Sequence, residues 1–174
     1  MDLNMSSAHK RFLLNEGIGS LVINLVLNGL IAALMFRGTA AVPLWGQQSI
    51  AGDTIGTTFF LPLITCLIET PLARRQVRAG RVPPVAGAPL GLRWMPERAF
   101  TRGATLGLIT AVIIAPPTIA ALAALGVTQK GFWGFVAFKA VFAAALAAVV
   151  TPLIALWAIA VSDWQPVSMP SRRG

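Results

Sequence analysis

Residues 74–102 read RRQVRAGRVPPVAGAPLGLRWMPERAFTR and separate two long apolar regions. Two further basic pairs, Lys10-Arg11 and Arg172-Arg173, lie beside the outer edges of those regions. Lys and Arg collect in the cytoplasmic loops of membrane proteins. This distribution predicts an integral membrane protein whose termini and central basic loop are cytoplasmic. The loop's seven arginines, expected to contact lipid headgroups, are Arg74, Arg75, Arg78, Arg81, Arg93, Arg98 and Arg102.

The composition supports the same class. Of the 174 residues, 56% are hydrophobic and only 11% are charged, and the mean hydropathy is +0.73. Soluble domains average about 25% charged residues. The formal net charge is +8, but the basic residues lie in loops beside apolar segments. Anionic lipid headgroups on the cytoplasmic side are therefore the expected counter-charge, and nucleic acid is not.

Four apolar segments are long enough to cross a bilayer, which takes about 20 helical residues. They are residues 17–36, 50–68, 104–125 and 132–161. The predicted fold is an all-α integral membrane protein with four transmembrane helices. Its predicted parts are an N-terminal tail (1–16), a first hairpin (17–68), a basic cytoplasmic loop (69–103), a second hairpin (104–161) and a C-terminal tail (162–174).

The two hairpins resemble each other in sequence. Shifting the chain by 88 residues aligns 12–46 with 100–134 and gives nine identities in thirty-five positions. Gly38 then meets Gly126, and Trp45-Gly46 meets Trp133-Gly134. A unit with two crossings returns to its starting side, so the copies are expected to run parallel, related by an axis along the membrane normal.

Polar residues interrupt the first hairpin at a spacing of four, which places them on one face of each helix. This stripe can bind the two helices to each other or line a path for an ion or small solute. Glu69, at its end, is expected to pair with Arg74 or Arg75. The stripe comprises Glu16, Ser20, Asn24, Asn28, Asp53, Thr57, Thr65 and Glu69.

Lys139 is a charged residue inside the fourth apolar segment. One interpretation is that it pairs with Asp53 or extends towards the membrane surface. The alternative is a functional lysine that contacts an anion or acts as a proton-coupled switch.

Other residues predict how the helices bend and pack. Pro116 and Pro117 remove two backbone donors in mid-helix and predict a kink. The alternative is a broken helix that lines a site. Small residues at a spacing of four allow close helix packing, inside the bundle or between protomers. They are Gly52 and Gly56, Gly103 and Gly107, and Ala140, Ala144 and Ala148.

No sequence motif for catalysis, a cofactor or a metal is present, and one cysteine and one histidine make a metal site improbable. The chain resembles, in a general way, small hairpin proteins of bacterial inner membranes, which implies that location and transfers no functional residue. The sequence favours a non-enzymatic accessory or assembly subunit that packs against other membrane subunits. The alternative is a small oligomeric transporter or channel using the polar stripe.

Overall fold

The computed structural model describes residues 6–83, 85 and 94–160, and these are mostly helical. Within them, four helical segments are long and apolar enough to cross a membrane, which confirms the predicted number of spans. One segment is divided into two helices. The elements in chain order are α1 (Ser7–Met35), β1 (Ala41–Pro43), α2 (Ile50–Arg78), α3 (Ala99–Ile113), α4 (Ala115–Ala124), β2 (Gln129–Gly131) and α5 (Phe132–Ala160).

Helix α1 begins well before the predicted span, because Ser6 and His9 cap its first turn. The Ser6 hydroxyl accepts from the His9 backbone N–H, and the Ser6 backbone N–H donates to His9 Nδ1. This reciprocal arrangement satisfies donors that a helix start leaves unpaired. His9 Nε2 donates to the Pro83 carbonyl at 2.8 Å, so it joins α1 to the chain beyond α2.

The third span is interrupted at a single residue, Ile114, whose dihedral angles (φ −102°, ψ −41°) remain in the right-handed helical region. Pro116 and Pro117 have no backbone N–H to donate to the preceding turn, so the helix stops and restarts. Proline is tolerated in the first turn of the new helix, α4, where those donors would be unpaired in any case.

A two-stranded β-ribbon joins the halves of the chain at one end of the bundle. The predicted all-helical fold did not include this ribbon. Strands β1 and β2 are antiparallel, with Val42 opposite Lys130. Each follows a helix that ends near a glycine of positive φ, +87° at Gly38 and +73° at Gly126, a conformation that favours glycine. Val42 is fully buried against Phe135 and its neighbours. We call this end the ribbon end, and the opposite end, where α2 finishes and α3 begins, the loop end.

The helices pack in the order α1, α5, α2 and then α3 with α4. The two helices of each predicted hairpin therefore do not pack mainly on each other. Helix α1 packs on α5, and α3 packs on α2. Small residues permit both close contacts. A Cβ added to Gly17 of α1 would lie 3.3 Å from the Ala148 carbonyl of α5, and one added to Gly103 of α3 would lie 3.0 Å from the Leu63 carbonyl of α2.

Candidate functional site

Polar residues from three helices meet in a cavity of about 480 Å³ between α1 and α2, with α5 beside it. We call this cavity the groove. It extends from the ribbon end along about four turns of α2. Five of the eight stripe residues line it together with Lys139, whereas Glu16, Ser20 and Glu69 lie outside it. Its polar side chains include Asn24, Asn28, Asp53, Thr57, Thr65 and Lys139.

The groove contains an ion pair near the ribbon end. Lys139 Nζ donates to the Asp53 carboxylate, and the two side chains are only 6% and 9% exposed. Asp53 lies in the first turn of α2, where the helix dipole favours negative charge. Lys139 therefore pairs with Asp53 and does not extend towards the membrane surface.

On the α1 side, the asparagines are bonded within their own helix. Asn28 Nδ2 donates to Asn24 Oδ1 at 3.1 Å, and Asn24 Nδ2 donates to the Ser20 carbonyl at 2.9 Å. The Ser20 and Thr151 hydroxyls share a hydrogen bond of 2.7 Å, which links α1 to α5. These amide bonds therefore run away from the ribbon end, and Asn28 Oδ1 accepts no hydrogen bond from the residues that the structure describes.

On the α2 side, neighbouring threonines have different roles. Thr58 is fully buried, and its hydroxyl donates to the Thr54 and Ile55 carbonyls of its own helix. The Thr57 side chain lines the groove, is 8% exposed, and makes no hydrogen bond to any residue that the structure describes. Its hydroxyl is thus available to a ligand.

The remaining wall of the groove is apolar and partly open. Phe60 and Ile64 line it while being 55% and 51% exposed. Gly52 and Gly56 also line it, and a Cβ on Gly56 would meet no atom within 4 Å. A concave, mostly apolar site with a few convergent polar groups is typical of small-molecule binding.

A second cavity, of about 450 Å³, lies at the loop end. Glu16, Arg75, Gln76 and Arg81 contribute to its lining. Gln76 Nε2 donates to Glu16 Oε1 at 3.2 Å, so it joins α2 to α1. The sequence did not indicate that Gln76 and Thr151 form bonds between helices, because each is a single polar residue outside the stripe.

The expected pair between Glu69 and an arginine does not form among the described residues. Glu69 is 7% exposed, and its Oε1 has no hydrogen-bond partner. The prediction was wrong: Arg75 lines the loop-end cavity, and Arg74 Nε is itself buried without a hydrogen-bond partner among the described residues.

The headgroup interpretation is also wrong for Arg102, which is fully buried. Its Nη2 donates to Thr70 Oγ1 at 2.6 Å, its Nη1 donates to the Glu97 carbonyl at 3.1 Å, and its guanidinium lies 3.5 Å from the centre of the Trp157 ring. The start of α3 packs on α2 and carries this side chain inward. Arg93 lies outside the described residues, and Arg74 is half-buried. The exposed members of the set are Arg75, Arg78, Arg81 and Arg98.

Most of the small-residue faces lie inside the bundle. Gly103, Gly107 and Ala144 are buried. Ala140 lies 3.4 Å from the Cβ position of Gly29, at the contact between α5 and α1. Ala148 faces α1 at Gly17. Gly52 and Gly56 line the groove, and of these two only Gly56 has open space at its Cβ position.

Comparisons with protein-family models, with curated proteins and with solved structures found no match. The function therefore has to be argued from the residues and geometry of this chain. In the part of the chain that the structure describes, no three His, Cys, Asp or Glu side chains are grouped as a metal site would require.

Proposed function

We propose that this multi-pass membrane protein transports a small polar solute, which binds in the groove between α1 and α2. One observation carries the proposal: polar residues from α1, α2 and α5 converge on one cavity in an otherwise apolar bundle. Intramembrane polar residues are costly unless they have a partner or a function. Among the described residues, the Asn24 and Asn28 amides bond within α1 and not to α2, which supports a path rather than a seam between these two helices.

Two hydrogen bonds hold α1 to its neighbours on the loop-end side of the groove. Ser20 is bonded to Thr151 of α5, and Glu16 is bonded to Gln76 of α2 at the loop-end cavity. We assign this arrangement to a state open at the ribbon end and closed at the loop end. Transport then requires α1 to move relative to α2 and α5 so that the Gln76–Glu16 bond opens, as in alternating access.

We propose that the protein is not an enzyme. The two charged groups that line the groove, Asp53 and Lys139, form an ion pair, which supplies two fixed opposite charges to a ligand. Their pairing supports a role in binding rather than in catalysis.

We propose that the loop end and both termini face the cytoplasm of a bacterial inner membrane. The exposed arginines Arg75, Arg78, Arg81 and Arg98 support this orientation, because basic loops remain cytoplasmic and attract anionic headgroups. At the ribbon end, the loops carry only Arg37 and Lys130.

We further propose that the chain is a fused pair of hairpins related by a two-fold axis along the membrane normal. Two observations support it. Val42 and Lys130, opposite each other in the ribbon, are themselves separated by the repeat offset of 88, as expected if the axis passes between them. The same axis would exchange the α1–α5 contact with the α3–α2 contact.

An accessory or assembly subunit is the second candidate function. It is favoured by α1, in which only His9, Phe12, Gly17 and Ala32 are buried along 29 residues. A helix so little covered by its own chain can pack against another membrane subunit or a second copy. The buried Gly/Ala faces, however, are already used inside the bundle, which leaves the outer face of α1 for such a partner.

Flux from proteoliposomes tests the transport proposal. Liposomes loaded with a mixture of amino acids, quaternary amines and short carboxylates are assayed by mass spectrometry of the external medium. We expect wild type to release at least one solute class faster than protein-free liposomes, and the Asn24→Leu/Asn28→Leu variant to release none. Leu30→Val, on the exposed face of α1, is the control and should behave as wild type.

Equal release from all four preparations would contradict transport. Native mass spectrometry of the protein extracted in a mild detergent then tests the second candidate. Stoichiometric foreign subunits would support an accessory role, whereas a bare chain or homo-oligomer would not.

A further inference from the structure

The ion pair in the groove retains unused bonding capacity. An ammonium has three donors and a carboxylate has about four lone-pair sites. Among the described residues, Lys139 Nζ contacts only Asp53 Oδ1, and Asp53 Oδ2 has no side-chain partner. Both groups line the groove. A ligand can therefore bond to either charge without separating the pair.

The net charge of the site decides which ligand suits it. Lys139 and Asp53 neutralise each other, and among the described residues no other charged side chain lines the groove. A lone cation or anion bound there would give the site a net charge in mostly apolar surroundings, which is unfavourable. A ligand that carries one positive and one negative group keeps the site neutral.

Neighbouring groups complete such a site. Asn28 Oδ1 lies on the α1 wall and the Thr57 hydroxyl lies on the α2 wall. Neither is hydrogen-bonded to any residue in the described part of the chain. The apolar wall, with Leu27, Phe60 and Ile64 among its members, can accommodate a hydrocarbon substituent. Because Phe60 and Ile64 are about half exposed, the groove has an apolar rim on its outer side.

We infer that the groove binds a net-neutral zwitterion with an apolar substituent, its cationic group on Asp53 and its anionic group on Lys139. This inference rests on the proposed transport function and specifies its substrate class. The chemistry is shared by a free apolar amino acid, which would enter at the ribbon end, and by a zwitterionic phospholipid headgroup, whose acyl chains would leave past the apolar rim.

Matched ligands and matched membranes test the inference. In nanodiscs of phosphatidylglycerol alone, the binding of leucine is compared with that of 4-methylpentanoate, which lacks the amine, and 3-methylbutylamine, which lacks the carboxylate. In nanodiscs that also contain phosphatidylethanolamine, native mass spectrometry counts the retained zwitterionic lipid. The Asp53→Asn/Lys139→Met variant is measured in both membranes, since removing both charges leaves neither one unpaired.

We expect one zwitterion to bind and the double variant to lose it. Since hydrogen bonds to charged groups contribute strongly, leucine should bind at least about tenfold more tightly than either singly charged analogue. Leucine binding in phosphatidylglycerol identifies a free solute as the source. Retention of one phosphatidylethanolamine per chain without leucine binding identifies a lipid. Both results support the inference.

Equal binding of the singly charged analogues would overturn the inference, as would the absence of both leucine binding and lipid retention. Undiminished binding by a folded double variant would do the same. Failure of this inference can be distinguished from failure of the transport proposal. A zwitterion that binds but is not transported removes the transport proposal alone, and flux of singly charged solutes without zwitterion binding removes this inference alone.

Discussion

Lys139 and Asp53 are 86 residues apart in the chain and form an ion pair at the ribbon end of the groove. The pair joins α5 to the start of α2, the two helices at the centre of the packing order. It therefore lies next to the proposed pseudo-two-fold axis. The same two residues stabilise the bundle and supply the charges of the proposed site.

Removing one member of the pair should destabilise the protein more than removing both. Lys139→Met leaves Asp53 buried and unpaired, at a cost of about 3 kcal/mol. The double variant Asp53→Asn/Lys139→Met should recover most of that loss. Equilibrium unfolding in detergent measures the free energies, and additive losses in the double variant would show that the two residues are not coupled.

Two glycines, one inside a helix contact and one outside any contact, predict different effects of the same substitution. A Cβ at Gly103 would lie 2.9 Å from Cys66 Cβ and 3.0 Å from the Leu63 carbonyl, whereas one at Gly19 would meet nothing within 4 Å. Gly103→Ala should lower the free energy of unfolding by about 1–3 kcal/mol because α3 must move away from α2. Gly19→Ala should be neutral or slightly stabilising. Equal effects on unfolding would refute the α2–α3 packing described above.

Substitutions at Arg102, which is buried, and at Arg98, which is exposed, should have different effects on stability and on lipid binding. Arg102→Met removes the bonds to Thr70 and to the Glu97 carbonyl, so the thermal midpoint should fall clearly. Arg98→Ala should leave the midpoint unchanged and reduce the number of phosphatidylglycerol molecules retained in native mass spectrometry, since each basic residue near the surface contributes about 1 kcal/mol. The reverse pattern would place Arg102 at the membrane surface.

Thr57 and Thr58 form a matched pair for the binding site. Thr57→Val removes the unpaired hydroxyl in the groove and should weaken binding of the zwitterion several-fold, with little change in stability. Thr58→Val removes a hydroxyl that bonds only to its own helix, so binding should stay as in wild type. A titration of each variant in nanodiscs measures both affinities, and equal affinities would remove Thr57 from the site.

The sequence predicted the number of spans and much of the groove lining because both depend on local periodicity. Apolar length gave the four spans, and the spacing of four placed Asn24 and Asn28 on one face. The partner of each helix depends on distant packing. Nothing between residues 17 and 68 indicates that α1 packs on α5.

Identical local patterns also acquired different roles in the fold. Gly103 is buried against α2, while Gly56, in the same kind of pair, borders open space. Arg102 and Arg98 belong to one basic stretch, yet only Arg102 is turned inward. One helical turn separates these arginines, and the packing of α3 on α2 decides which of them is exposed.

The central claim is that the groove admits water and solute, and cysteine accessibility tests it most directly. Because Cys66 is the protein's one cysteine, Cys66→Ala provides a background for Asn28→Cys in the groove and Leu30→Cys on the exposed face of α1. Thiols react as thiolates, which form in water and not in lipid. In membranes treated with an impermeant thiosulfonate, we predict rapid modification of Asn28→Cys and almost none of Leu30→Cys. Equal protection of both cysteines would contradict a water-accessible groove.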